Sequence, residues 1–167
     1  RRLELLQRGE VPFFEPGLED ALRAHRDRIH LAGDHDEARR ACRLFFVAVG
    51  TPTSPTGQAD LGAVWSVIDH LSLTAQQAVV MKSTVPPGTG LEIRRRLDAR
   101  GMADVAYVSC PEFLRESTGL WDFHNPDRVV IGEQPGGGGS WAADAVEQLY
   151  LELTTADRIV RTDITTA

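Results

Sequence analysis

The run Ser109-Cys110-Pro111-Glu112-Phe113-Leu114-Arg115-Glu116-Ser117 puts two carboxylates, a guanidinium and a proline-fixed backbone into one short segment. Asp122-Phe123 and Asn125-Pro126-Asp127-Arg128 follow, and the chain then enters the apolar Val129-Val130-Ile131-Gly132. Glu112 and Glu116 are four residues apart. On a helical turn that spacing sets both side chains on one face. A carboxylate pair beside a fixed backbone can orient a polyhydroxy substrate or handle a proton. Composition alone also allows a solvated acidic turn, because most charged loops are simply surface.

The elements that must position these groups are legible from hydropathy. Leu44-Phe45-Phe46-Val47-Ala48-Val49 is apolar without alternation, which predicts a strand covered on both faces, as in a parallel sheet. Ala78-Val79-Val80-Met81 and Val105-Ala106-Tyr107-Val108 read the same way, followed by shorter strands at 128–131 and 159–160. A short strand is also expected at 29–31. Helices are expected at 3–8, 18–26 and 34–43. A further helix follows Asp60 as its cap, with Leu61, Val64, Ile68 and Leu71 at helical spacing. Thr89-Gly90-Leu91-Glu92 has the form of a capping box opening a helix over 90–100. The last full helix covers 141–153, with Ala145, Val146, Leu149 and Leu153 on one side. Gln134 to Ser140 reads as a glycine-rich hinge, and Thr162-Asp163-Ile164 as the start of another helix.

Strands alternating with helices define an α/β fold with a mainly parallel sheet. In such sheets ligands bind beyond the carboxyl ends of the strands. Three segments fall there: Gly50-Thr51-Pro52, Lys82-Ser83-Thr84-Val85-Pro86 and residues 109–116. All three carry prolines and small polar residues on what should be one sheet edge.

Composition narrows the classes. The 167 residues suffice for one domain with a core, and 42% apolar with 25% charged residues is ordinary for a globular chain. A net charge of −6 argues against a nucleic-acid partner, which requires clustered cations. Arg39, Arg40 and Arg43 form a dense basic cluster in a helix, beside Asp34, Asp36 and Glu37, and read as a solvated face. No stretch approaches the ~18 apolar residues of a membrane span, so no membrane partner is expected. No signal peptide is visible. Cys42 and Cys110 lack metal-ligand spacing and the five histidines are scattered. No metal site is expected, and a reducing, cytoplasmic setting is. Cys110 precedes a proline and has no evident histidine partner, which makes it a passive thiol.

Five ordered blocks carry a resemblance: Val49-Gly50-Thr51-Pro52, Ala59-Asp60-Leu61, Lys82-Ser83-Thr84-Val85-Pro86-Pro87-Gly88-Thr89, Pro111-Glu112-Phe113-Leu114-Arg115-Glu116 and Pro126-Asp127-Arg128-Val129-Val130-Ile131-Gly132. Together with Leu5-Leu6-Gln7-Arg8-Gly9-Glu10 and Glu15-Pro16-Gly17-Leu18, they resemble the UDP-glucose/GDP-mannose 6-dehydrogenase family over nearly the whole chain. The resemblance implies a doubly wound, Rossmann-like sheet missing its first strands. Residues 1–161 would be part of the N-terminal NAD-binding domain, and 162–167 the start of the central connecting helix. It also implies an NAD-dependent, four-electron oxidation of a nucleotide sugar's C6 alcohol to a carboxylate, through a thioester on a cysteine of a later domain.

The same resemblance assigns roles. Thr51 and Pro52 meet the cofactor, and Thr84 stands near the nicotinamide and the catalytic water. Glu112, Phe113, Leu114, Arg115 and Glu116 form the substrate-binding loop. Glu116 also lies close to NAD and positions water, and Glu112 shares the proton chemistry. Arg115 has a second reading, pairing only with a neighbouring acid. Full-length members are implied to be homodimers. Cys110 stands where the family often has Asn, and Ser117-Thr118 replaces a common Gly, a form closer to the GDP-mannose branch, so UDP-glucose and GDP-mannose both stay open.

No Gly-x-Gly-x-x-Gly follows a strand, and Gly136-Gly137-Gly138-Gly139 reads as a flexible loop. The chain begins Arg1-Arg2 and reads as a piece of something longer, so turnover by these residues alone is not expected. The segment at 29–31 should lack a strand partner and the edge at 44–49 should be bare. Two further readings are a non-catalytic remnant that keeps the fold, and a related hydroxyacid dehydrogenase, against which the 111–116 block speaks.

Overall fold

The computed structural model describes residues 2–134 and 140–167, so the expected hinge at Gly136, Gly137, Gly138 and Gly139 lies outside the described residues. Five strands form one sheet in the order β1 (Leu44–Val47), β2 (Ala78–Met81), β3 (Ala106–Ser109), β4 (Val129–Glu133), β5 (Ile159–Asp163). β1, β2 and β3 run parallel, as do β4 and β5. The β3–β4 pair is antiparallel. Seven helices are described: α1 (Arg2–Gln7), α2 (Leu18–Ala24), α3 (His35–Ala41), α4 (Gly62–His70), α5 (Thr89–Ala99), α6 (Gly119–His124) and α7 (Ser140–Leu151).

The absence of alternation in β2 and β3 has the cause the sequence suggested, since all eight residues are buried. Val79, Met81 and Tyr107 pack with Val64, Ile68, Ile93 and Leu97 of α4 and α5. Ala78, Val80, Ala106 and Val108 face the other way, toward Ala142, Ala143 and Val146 of α7. Each of these buried valines and isoleucines contributes about 1.5–3 kcal/mol of burial. Helices on both faces make the sheet doubly wound. β1 has a described neighbour on one side only, and its Phe46 is 43% exposed.

Side chains from one element close the ends of another. The Asp60 carboxylate accepts from Gly62 N at 2.8 Å and caps α4. At the far end of α4, Arg100 donates to Ile68 O at 2.5 Å and Leu71 O at 2.7 Å. The buried Gln77 amide donates to Arg39 O and Cys42 O, closing α3. These bonds satisfy the backbone N–H and C=O groups that helix termini leave open.

Several local expectations need correction. Residues 29–31 form no strand, because no described segment offers a ladder beside them; three apolar residues have no strand identity without a partner. The Thr89 capping box does not form. Gly88 takes the left-handed conformation at φ 87° and stands at the cap, so Thr89 is already helical, and Glu92 turns to Arg95 and Arg96. On α7 the buried face is Ala142, Ala143, Val146 and Tyr150, with Leu149 47% exposed. Alanines win there because α7 lies close over Ala78 and Ala106. Thr162 and Asp163 belong to β5, and a turn follows over 164–166 instead of a helix. The Asp163 carboxylate closes that turn, accepting from Thr165 N at 2.8 Å and Thr166 N at 2.9 Å.

Candidate active site at the carboxyl edge

The parallel run of β1, β2 and β3 brings their carboxyl ends to one edge, and the three singled-out loops leave from it. The Thr51 hydroxyl donates to Thr84 O at 2.9 Å, joining the first two loops. Ser83 Oγ donates to Val49 O at 2.7 Å from beneath. Lys82 reaches the third loop, with Nζ 3.2 Å from Pro111 O, 4.0 Å from Cys110 Sγ and 5.2 Å from the centroid of the Tyr150 ring. Burial lowers the Lys82 pKa, against the opposing pull of Cys110 and Glu112.

No helical turn runs through Glu112 and Glu116, so their four-residue spacing does not set them on one helical face. Residues 111–115 are irregular, a turn occupies 116–118, and α6 begins only at Gly119. The backbone cannot continue as helix because Ser117 takes φ 67°, the one positive φ of a non-glycine among the described residues. Glu112 bends back on its own loop and accepts from Leu114 N at 2.5 Å. Glu116 is exposed at the turn.

Arg115 pairs with Asp122, its Nη2 standing 2.6 Å from Oδ1. Asp122 also accepts from Arg115 N at 3.0 Å, Arg115 Nε at 3.1 Å and Thr118 Oγ1 at 3.0 Å. The guanidinium bonds and then the Arg115 N–H hold this carboxyl well below the usual carboxylate range, against its burial. Asp122 itself is 8% exposed. The Cys110 thiol is fully buried and burial pushes its pKa up, which leaves it a poor nucleophile.

A cavity of about 430 Å³ opens behind the third loop, lined among others by Lys82, Phe113, Leu114, Arg115, Asp122 and Tyr150. Thr51, Thr84, Glu112 and Glu116 do not line it. Three of the five predicted substrate-loop residues therefore share one concavity, while the two threonines meet on a ledge beside it. Sequence reasoning assigned no role to Lys82, Asp122 or Glu15. A carboxylate seven residues beyond Arg115 was visible, but only the turn at 116–118 brings it back.

The ledge offers the Thr51 hydroxyl, the Thr84 carbonyl and Gly50, where an added Cβ would meet nothing within 4 Å, a polar and open surface that fits a ligand lying close to the backbone. No Gly-x-Gly-x-x-Gly turn follows a strand in this sequence.

Fold and edge together define a doubly wound dinucleotide domain. Residues 1–154 match the family model described as "UDP-glucose/GDP-mannose dehydrogenase family, NAD binding domain", and the chain belongs to this family. The chain is 40% identical over 162 residues to the UDP-glucose 6-dehydrogenase of Pseudomonas aeruginosa, covering 89% of this chain and 34% of that one. It is 39% identical over 138 residues to a putative UDP-glucose 6-dehydrogenase, YtcA, of Bacillus subtilis, covering 80% and 32%. Among solved structures, a ternary complex of GDP-mannose dehydrogenase from P. aeruginosa superposes with a TM-score of 0.82 at 31% identity, over 99% of this chain and 39% of that one. The chain spans about a third of the length of the curated relatives it matches. Among the described residues no helix is long and apolar enough to cross a membrane.

Proposed function

We propose that this chain is the cofactor side of an NAD-dependent nucleotide-sugar 6-dehydrogenase that oxidises the C6 alcohol of UDP-glucose or GDP-mannose to a carboxylate. The observation that carries this reading is the Thr51–Thr84 bond, which joins two of the three edge loops beside the 112–116 loop. Family membership and the names of the relatives support it.

Thr51, Pro52 and Thr84 would hold the nicotinamide end of NAD, whose chemistry when bound is hydride acceptance. Phe113, Leu114 and Arg115 line the cavity and would receive part of the nucleotide sugar. Taking the C6 alcohol to the carboxylate takes up one water and releases three protons besides the two hydrides, so the site needs a group that places the water and groups that take protons. Glu116, with Thr84, would place that water, and Glu112 and Glu116 are the carboxylates available to take protons. In this account the NAD-binding domain takes in the whole of β5, through Thr162 and Asp163. We further infer a cytoplasmic homodimer with no membrane partner and no nucleic-acid partner, the last supported by the net charge of −6.

The test is NAD reduction by the full-length protein with each sugar nucleotide, beside Glu116→Gln. Loss of a general base should slow turnover by about 100-fold. An unchanged rate in Glu116→Gln would remove Glu116 from the chemistry.

A further inference from the structure

Glu116 sits at the crest of a four-residue turn. Thr118 N donates to Arg115 O at 3.2 Å, and Ser117 between them takes φ 67°. Asp122 grips both feet of this turn. One of its oxygens, Oδ2, accepts from Arg115 N at 3.0 Å on one side of Glu116 and from Thr118 Oγ1 at 3.0 Å on the other. Its second oxygen takes Arg115 Nη2 at 2.6 Å, and Asp122 N donates to Thr118 O at 2.8 Å. The carboxylate side chain is 10% exposed while that of Arg115 is 71% exposed, so the acid is the fixed member of the pair.

A second carboxylate steadies the base of the turn. Glu15 Oε1 accepts from Leu120 N at 3.1 Å across 105 residues of sequence. This approach needs Gly17, at φ 81°, where an added Cβ would stand 3.2 Å from Leu120 Cδ2. The turn is therefore held from α6 and from the segment before α2, by groups that lie outside the proposed reacting set.

We propose that Asp122 is a positioning residue that fixes where Glu116 presents its carboxylate, with Glu15 anchoring the α6 end. Arg115 then serves as Asp122's clamp on the loop, with only its outer face left to a ligand. This inference rests on the reading of Glu116 given above.

The test uses the full-length protein with Asp122→Ala, Glu116→Gln and the double variant, and Asp122→Asn should the alanine form fail to fold. Misplacing Glu116 should lower kcat by about 100-fold and change the KM for NAD by a much smaller factor, because Thr51 and Thr84 are untouched. In the Glu116→Gln background, Asp122→Ala should add nothing further, since both changes disable one group. Amide exchange over 112–118 should rise in the Asp122 variants while that of β2 stays slow. A full additional loss in the double variant, or unchanged kcat in Asp122→Ala, would overturn the proposal. If the wild-type protein reduces no NAD with either sugar nucleotide, the functional reading fails, and amide exchange alone decides; unchanged exchange over 112–118 then overturns the positioning role.

Discussion

The Thr51 hydroxyl and the Thr84 carbonyl meet at 2.9 Å and lock the loops after β1 and β2 into one ledge. The two residues lie 33 apart in sequence, and parallel pairing of their strands is what brings them together. Thr51→Val keeps the shape of the side chain and removes the donor. It should lower stability by about 1 kcal/mol and raise the KM for NAD more than it lowers kcat. Thermal unfolding and initial rates check both parts, and an unchanged KM would detach the ledge from cofactor binding.

Asp122 makes stability depend on acid. Arg115 holds its carboxyl below the usual range in the folded state, so folding favours the ionised form. That contribution is fully present above the unfolded pKa of about 3.9 and is lost as pH falls toward the lower folded value. The Tm difference between wild type and Asp122→Asn should stay constant from about pH 7 to pH 5 and shrink below about pH 4. A gap that widens on acidification would reverse the sign assigned here.

Arg94 is 7% exposed and donates to Val105 O at 2.5 Å and Met102 O at 2.6 Å, bracing the turn between α5 and β3. Arg94→Leu takes the guanidinium donor from the Val105 carbonyl, while Met102 O keeps Val105 N at 3.1 Å. Denaturant unfolding should show a loss of about 1–3 kcal/mol. A change below about 0.5 kcal/mol would mean that water replaces the guanidinium.

Cys42 is exposed and Cys110 buried. An alkylating reagent should modify Cys42 alone in the native protein and both thiols after unfolding. Mass spectrometry reads this directly, and rapid native labelling of Cys110 would contradict the passive role given to it.

Much of this was legible in the chain. The apolar runs of β2 and β3 announced their burial, whereas β1, equally apolar, is an edge strand that leaves Phe46 exposed, and the prolines and small polar residues after these strands marked the edge proposed as the site. What stayed hidden depends on partners distant in sequence. Residues 29–31 look like a strand until the ladder is seen to lack a place for them. Leu149 outweighs Ala142 and Ala143 in hydropathy, yet the alanines are buried against the sheet and Leu149 is left exposed, while Leu153 packs partly buried against the same cluster. Arg94, Arg100 and Gln77 cap carbonyls from other elements, which no local pattern records. At the site, the four-residue spacing of Glu112 and Glu116 would have placed them on one face only on a helical turn, and the segment is not one. The positive φ at Ser117 separates their roles, and Asp122 supplies the order that a helix would have provided.

The most direct measurement is the number of NADH molecules formed per sugar nucleotide consumed by the full-length protein, with UDP-glucose and GDP-mannose in parallel. Oxidation of an alcohol to a carboxylate predicts two, with a uronic acid as product. No NADH with either substrate, or one NADH with an aldehyde accumulating, would contradict the account.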